Sequence, residues 1–236
     1  MNLPSVSLPA GYPRIRVVET FDEWLAAPFS DGINAVCWPR ELSGDFAEVV
    51  RQLGSIDGIA PLSADRLRSL PLTAAGREAV EVMLADEARL RAAGLAPELN
   101  AISAYPQDEE EPQAPTHVYS FHADSAPIAA ETILCTYAGA PSEGLRNDEA
   151  RWRIDDPEIR ADLLRRFGGA DDDDFRAHLA ETCQDLHYVP LAGARPFSFG
   201  LGHLWRIAVQ SPDCPVPPCI HRAPKERGAG RLLLIA

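Results

Sequence analysis

The chain has 236 residues, 46% of them apolar, which is enough to bury a sizeable core in one large domain or two small ones. A formal charge of −13 weighs against nucleic acid as a partner, because a phosphate backbone is bound mainly through clustered Lys and Arg. No apolar run approaches the roughly 18 residues of a membrane span, and Met1-Asn2-Leu3-Pro4-Ser5 lacks the basic start and long apolar stretch of a secretory signal, so a cytoplasmic protein without a membrane partner is expected.

In chain order, Ile15 to Val18 reads as a short strand and Phe21 to Leu25 as a helical turn capped near Thr20. Ile33 to Trp38 is a second strand, closed by Pro39. Ser43-Gly44-Asp45 opens a short amphipathic helix through Phe46, Val49, Val50 and Leu53. The longest helical pattern runs from Thr73 to Ala93, with Val80, Leu84 and Leu90 on one side and Gly94 as its stop. Leu99 to Tyr105 resumes a strand pattern, and the acidic, proline-bearing segment from 107 to 115 reads as a solvated loop. Val118 to Asp124 alternates as a strand does, and Thr132 to Tyr137 is β-rich and ended by Gly139 and Pro141.

Residues 145 to 187 form a charged, partly helical insertion, equally readable as a lid or a decoration. Strand signals return at Tyr188 to Leu191, Phe197 to Phe199, Leu204 to Val209 and Arg231 to Ile235. The whole reads as a single α+β domain in which a mainly helical part, 1–97, leans on a C-terminal β-sandwich or barrel, 98–236.

Two patterns bear on chemistry. Residues i and i+2 of a strand share a face, so His122 and Asp124 can reach one point in space. His221 lies about a hundred residues on, between two strand candidates. Two histidines and a carboxylate are the ligand set that leaves half of an iron(II) coordination sphere open. Arg231, ten residues further, stands where a carboxylate cosubstrate could be clamped.

The basic residues are nearly all arginines, and Arg146, Arg151, Arg153, Arg206, Arg222 and Arg231 fall near these patterns. A planar guanidinium grips carboxylates, so a small anionic or amino-acid-like ligand fits; surface ion pairing is the alternative for each arginine taken singly. Arg222, Arg206 and His203 are the candidates for substrate contact, while His117, His178 and His187 have no partner pattern. The five cysteines have no regular framework and read as reduced; a zinc site at Cys214 and Cys219 would lack a second pair.

His122-x-Asp124, His221 and Arg231, in that order along late strands, resemble the 2-oxoglutarate and iron(II) dependent dioxygenases. Within or near that superfamily the chain is similar to an uncharacterised bacterial family, through the segment Ile33 to Leu42, Phe121-His122-Ala123-Asp124, Thr136-Tyr137-Ala138-Gly139 with Ser142-Glu143, His221-Arg222-Ala223-Pro224 and Arg231-Leu232-Leu233-Leu234. The resemblance implies a double-stranded β-helix, jelly-roll or cupin-like, with the N-terminal helices on its outer face. It implies iron(II) on His122, Asp124 and His221, Arg231 against the distal carboxylate of 2-oxoglutarate, and dioxygen as co-reactant in the oxidation, most simply hydroxylation, of a small molecule.

Many relatives carry a serine or threonine two residues after the arginine. Leu233 stands there in this chain, so a hydroxyl from Tyr137 or Thr136 is expected to take its place. Two other readings stay open: a cupin-like metalloenzyme that does not use the keto acid, and a noncatalytic metal-binding or partner-binding protein.

Overall fold

A computed structural model describes residues 8–106, 114–225 and 230–236. The N-terminal pentapeptide and most of the expected acidic loop lie outside them. Among the described residues thirteen strands and six α-helices follow one another as β1 (Ile15–Val17), α1 (Phe21–Ala26), β2 (Ala35–Trp38), α2 (Phe46–Leu53), β3 (Ile59–Pro61), α3 (Ala64–Arg68), α4 (Ala74–Ala92), β4 (Glu98–Ile102), β5 (Phe121–His122), β6 (Glu131–Ala138), β7 (Glu143–Leu145), β8 (Ala150–Trp152), α5 (Pro157–Phe167), α6 (Asp173–Glu181), β9 (His187–Pro190), β10 (Phe197–Ser198), β11 (Leu204–Ala208), β12 (Ile220–Arg222) and β13 (Arg231–Ile235).

The strands form two sheets. The larger runs β1-β2-β11-β6-β13-β4-β3 and the smaller β10-β7-β12-β5-β9-β8. All neighbours are antiparallel except the parallel pair of β1 with β2. The fold is therefore α+β, with two largely antiparallel sheets compatible with a β-sandwich or jelly-roll-like arrangement. Among the described residues no helix is long and apolar enough to cross a membrane.

Strand period decides what each face of the larger sheet meets. Ile133, Cys135 and Tyr137 of β6 and Leu232 and Leu234 of β13 join α2 and α4 in one apolar cluster. The alternate residues, Leu134 and Leu233, face the smaller sheet and pack with Phe197, Phe199, Trp205 and Cys219. The helices are held on the outer face by their start signals: Asp45 caps α2 through Glu48 N, and Thr73 caps α4 through Gly76 N. Gly94 follows α4 with a positive φ of 83°, as its stop signal required.

Several expected elements are recast. The N-terminal part is not only helical, since β1, β2 and β3 extend both edges of the larger sheet. The strand expected over Val118 to Asp124 pairs only at Phe121–His122, because Ser120 N folds back onto His117 O in a turn. The segment expected to be an insertion adds β8 and β9 to the edge of the smaller sheet, while α5 and α6 pack Ile154, Leu163, Phe175 and Leu179 into a cluster of their own.

One buried ion pair ties a helix to the larger sheet. Arg40 Nη1 donates to Asp86 Oδ1 at 2.6 Å, and Tyr137 Oη donates to Asp86 Oδ2 at 2.9 Å. Removing one member leaves the other charge buried without its counter-ion, which typically costs about 3–5 kcal/mol. Asp86→Ala is expected to lower the unfolding free energy by about 3 kcal/mol in urea denaturation, with the spectrum of the folded protein unchanged.

Candidate metal centre

Two cross-strand pairings build the site. In the smaller sheet His122 of β5 stands directly opposite His221 of β12, and both imidazoles point to the face that looks at the larger sheet, with ring centroids 4.6 Å apart. Asp124 lies two residues past His122, outside the ladder, and is tied down by Gln210 N donating to its carbonyl. Its carboxylate reaches back between the rings: Oδ1 is 3.5 Å from His122 Nε2 and Oδ2 is 3.7 Å from His221 Nε2. One atom from each residue lies within 4.8 Å of the other two, so the three could hold a metal ion.

The surroundings suit that role. His122 Nδ1 donates to Ser120 O at 2.8 Å, and His221 Nδ1 donates to Cys219 O at a longer 3.4 Å. Each ring thus directs Nδ1 at the carbonyl two residues back and turns Nε2 to the centre, the orientation of a metal-bound histidine. Burial pushes the His221 imidazole below its ordinary value against the pull of Asp124, which favours the neutral ligand form. Burial alone would raise the Asp124 carboxyl; the His221 and His122 imidazoles and the Thr132 hydroxyl outweigh it and hold the group well below the usual range. Thr132 Oγ1 donates to Asp124 Oδ2 at 2.5 Å.

Gly144 faces His221 from the neighbouring strand β7. A Cβ there would stand 2.3 Å from Phe197 Cζ and 2.7 Å from a Phe199 ring carbon, so only glycine lets these rings close against the site. Phe199 in turn stacks on Trp205 at 4.4 Å and on His221 at 6.5 Å.

Across the interior lies Arg231 at the start of β13, 1% exposed. It shares the inward face with Leu233, and its charge is felt at His221. Nη1 donates to Tyr105 Oη at 2.9 Å, and Nη2 donates to Thr136 Oγ1 at 2.9 Å and Ser142 Oγ at 2.8 Å. Of the two hydroxyls expected beside it, Thr136 is present. Tyr137 is not: one step along β6 it points to the helices, stacks on Phe46 at 5.5 Å and binds Asp86. Tyr105 and Ser142 were missed, because only the fold brings their loops to β13.

The three residues expected to touch substrate are elsewhere. Arg206 has the outward parity of β11 and donates to the carbonyls of Leu25 and Ala27. Arg222 has the parity opposite to His221, pairs with Glu143 at 2.6 Å and covers the Phe121 ring. His203 accepts from Arg40 N at 3.1 Å, before β11. Cys214 and Cys219 are unpaired thiols, the first donating to Val216 O and the second buried in the core.

His187, which has no partner pattern in the sequence, also belongs to the His122 face of the smaller sheet. It pairs with His122 across β9 and β5, its ring centroid is 5.6 Å from that of His122, and its Nδ1 lies 2.6 Å from Ser120 Oγ. Compared with protein-family models, curated proteins and solved structures, the chain has no match.

His122→Ala should abolish binding of a single Co(II) per chain, read from visible absorption, and Thr132→Val should weaken it about tenfold by freeing the Asp124 carboxylate to turn. Burial, aided by Arg153, lowers the His187 pKa from 6.5 to about 3. The unfolded chain then binds the extra proton throughout that window, so stability is fully present above pH 6.5 and falls as pH drops toward about 3. His187→Gln should flatten that part of the pH–stability profile in urea titrations.

Proposed function

We propose that the protein is an iron(II) and 2-oxoglutarate dependent oxygenase acting on a small molecule, with His122, Asp124 and His221 holding the iron and Arg231 holding the distal carboxylate of the cosubstrate. The observation that supports it most is the pairing of two unlike sites in one interior: a two-imidazole, one-carboxylate cluster, and a buried guanidinium ringed by the hydroxyls of Tyr105, Thr136 and Ser142. The first is the ligand set of non-haem iron centres that leave positions open. The second is a place where an organic carboxylate would find a planar, charge-assisted partner instead of lying buried and unpaired.

A double-stranded β-helix is the matching fold reading. Its support is the order in which β4, β5, β6, β7, β10, β11, β12 and β13 are dealt between the sheets: larger, smaller, larger, smaller, smaller, larger, smaller, larger. Bound iron would couple the activation of dioxygen and the oxidative decarboxylation of 2-oxoglutarate to oxidation of the substrate. This chain's residues would fix the ligand geometry through the two backbone carbonyls and Thr132, favour the neutral form of the His221 imidazole by burial, and orient the keto acid from Arg231. The Phe199, Trp205 and Leu233 side chains would keep water from the space between. Five unpaired cysteines fit a reducing compartment such as the cytoplasm.

Anaerobic addition of iron(II) and 2-oxoglutarate should produce a visible charge-transfer absorption. Arg231→Ala should raise the 2-oxoglutarate concentration for half-saturation by on the order of 10- to 100-fold, the worth of a charged hydrogen-bonded contact. Unchanged half-saturation in that variant would show the clamp to be misassigned, and no absorption in the wild type would remove the oxygenase reading.

A further inference from the structure

The smaller sheet extends the site in a direction the metal cluster does not use. Across its inner face His221 pairs with His122, and His122 pairs with His187. The ladder of β8 with β9 ends at Trp152 opposite Tyr188, and the chain turns there into a 3-10 helix, Arg153–Asp155, that packs against β9. Trp152 is 49% exposed, whereas Arg153 and His187 are 4% and 3% exposed. A buried guanidinium therefore lies next to the end of a row of three imidazoles.

Among the described residues that guanidinium has no carboxylate partner, and its Nη1 donates to the carbonyl of Pro115. Asp156, three residues on, is engaged with Arg151 and with the start of α5. By contrast Arg40 has Asp86 and Arg206 has Glu131 at 3.4 Å. His117 Nδ1 is also buried without a partner, and the charges of both Arg153 and His117 are felt at His187. A buried cation short of a counter-ion is unfavourable by several kcal/mol, and a bound anion would relieve it.

We infer that Arg153, with His117 and His187 beside it, anchors a carboxylate of the organic substrate, so that the substrate spans the histidine row toward the His122, Asp124 and His221 cluster. The assignment of that carboxylate to the substrate rests on the oxygenase reading. A single planar guanidinium flanked by imidazoles matches the fork geometry and single charge of a carboxylate, and offers a phosphate dianion too few cations. Arg231, on the opposite sheet, leaves the cosubstrate its own anchor, so the two acids need not compete.

The test uses the full-length protein without added metal and follows the histidine ring resonances by NMR. Butyrate is the probe, butyramide its uncharged twin and inorganic phosphate the competing anion. Butyrate should shift the His187 signals saturably, identified by their loss in His187→Gln, and butyramide should not. Arg153→Gln should weaken butyrate at least tenfold, while Arg231→Gln should change it less than twofold. Wild-type His187 signals that ignore butyrate, or an Arg153→Gln variant that binds it normally, would overturn the inference. Phosphate binding more tightly than butyrate would overturn the carboxylate class. If Arg153→Gln does not fold, the comparison of butyrate with butyramide on the wild type decides alone. Loading with iron(II) and 2-oxoglutarate separates the two readings: Arg153-dependent butyrate binding without any succinate release would refute the oxygenase and leave the anion site standing.

Discussion

At β5 and β12 a single register position sets His122 opposite His221, and the interior chemistry depends on that pairing. The side-chain period of a strand is two, so a slip of one residue would turn one imidazole to the outer face and bring Phe121 or Arg222 inward in its place. Little ladder holds the pairing, for β5 has two paired residues and β12 three. The register is pinned from outside instead: Phe121, Leu145 and Ile220 pack together on the outer face, Arg222 pairs with Glu143 over Phe121, and Gly144 lets the inner aromatic rings close on the other side. Arg222, whose sequence position suggested substrate contact, thus contributes to the site by holding the strand that presents His221.

The same parity rule explains what could be read from the sequence and what could not. His122, Asp124 and His221 were legible because a histidine and a carboxylate two apart at a strand end restrict each other's direction whatever the rest of the fold does. The helices were legible from caps and stops, as at Thr73 and Gly94. Tyr137 and Arg206 were misplaced for one reason. Both faces of the larger sheet are covered, so β6 and β11 show no regular polar–apolar alternation from which inside and outside could be told. Thr136 is inside and Tyr137 outside, and only the packing of Leu134 against one cluster and Ile133 against another reveals it.

His187 and Arg153 were illegible for a different reason. Each sits in a segment whose charge pattern, rich in aspartate and arginine, reads as a solvated helical excursion, and α5 and α6 fulfil that reading. What the pattern cannot convey is that the chain enters the excursion through β8 and leaves it through β9, two short strands that pair with each other and lengthen the smaller sheet. Pairing between segments more than 30 residues apart leaves no local trace. Ser142 and Tyr105 belong to the same class: their hydroxyls meet Arg231 only because β4, β6 and β13 lie side by side.

These two kinds of legibility divide the site itself. The groups that would hold an ion are close in sequence or on strands of the central ladder, and their geometry is set by backbone carbonyls that no substitution removes. The groups at the far end of the row come from an added edge, where α5 and α6 form with Ala114 and Ile154 a small apolar cluster separate from the main core. A division of this sort lets the outer groups change without disturbing the inner ones, since side chains that share no contact tend to act additively. Arg153 is where the two regions meet: its segment is fastened to the separate cluster through neighbouring Ile154, while its charge acts on the histidine that pairs with His122. An edge that placed a different residue at that position would leave the His122, Asp124 and His221 cluster intact and alter only which ligand could lie beside it.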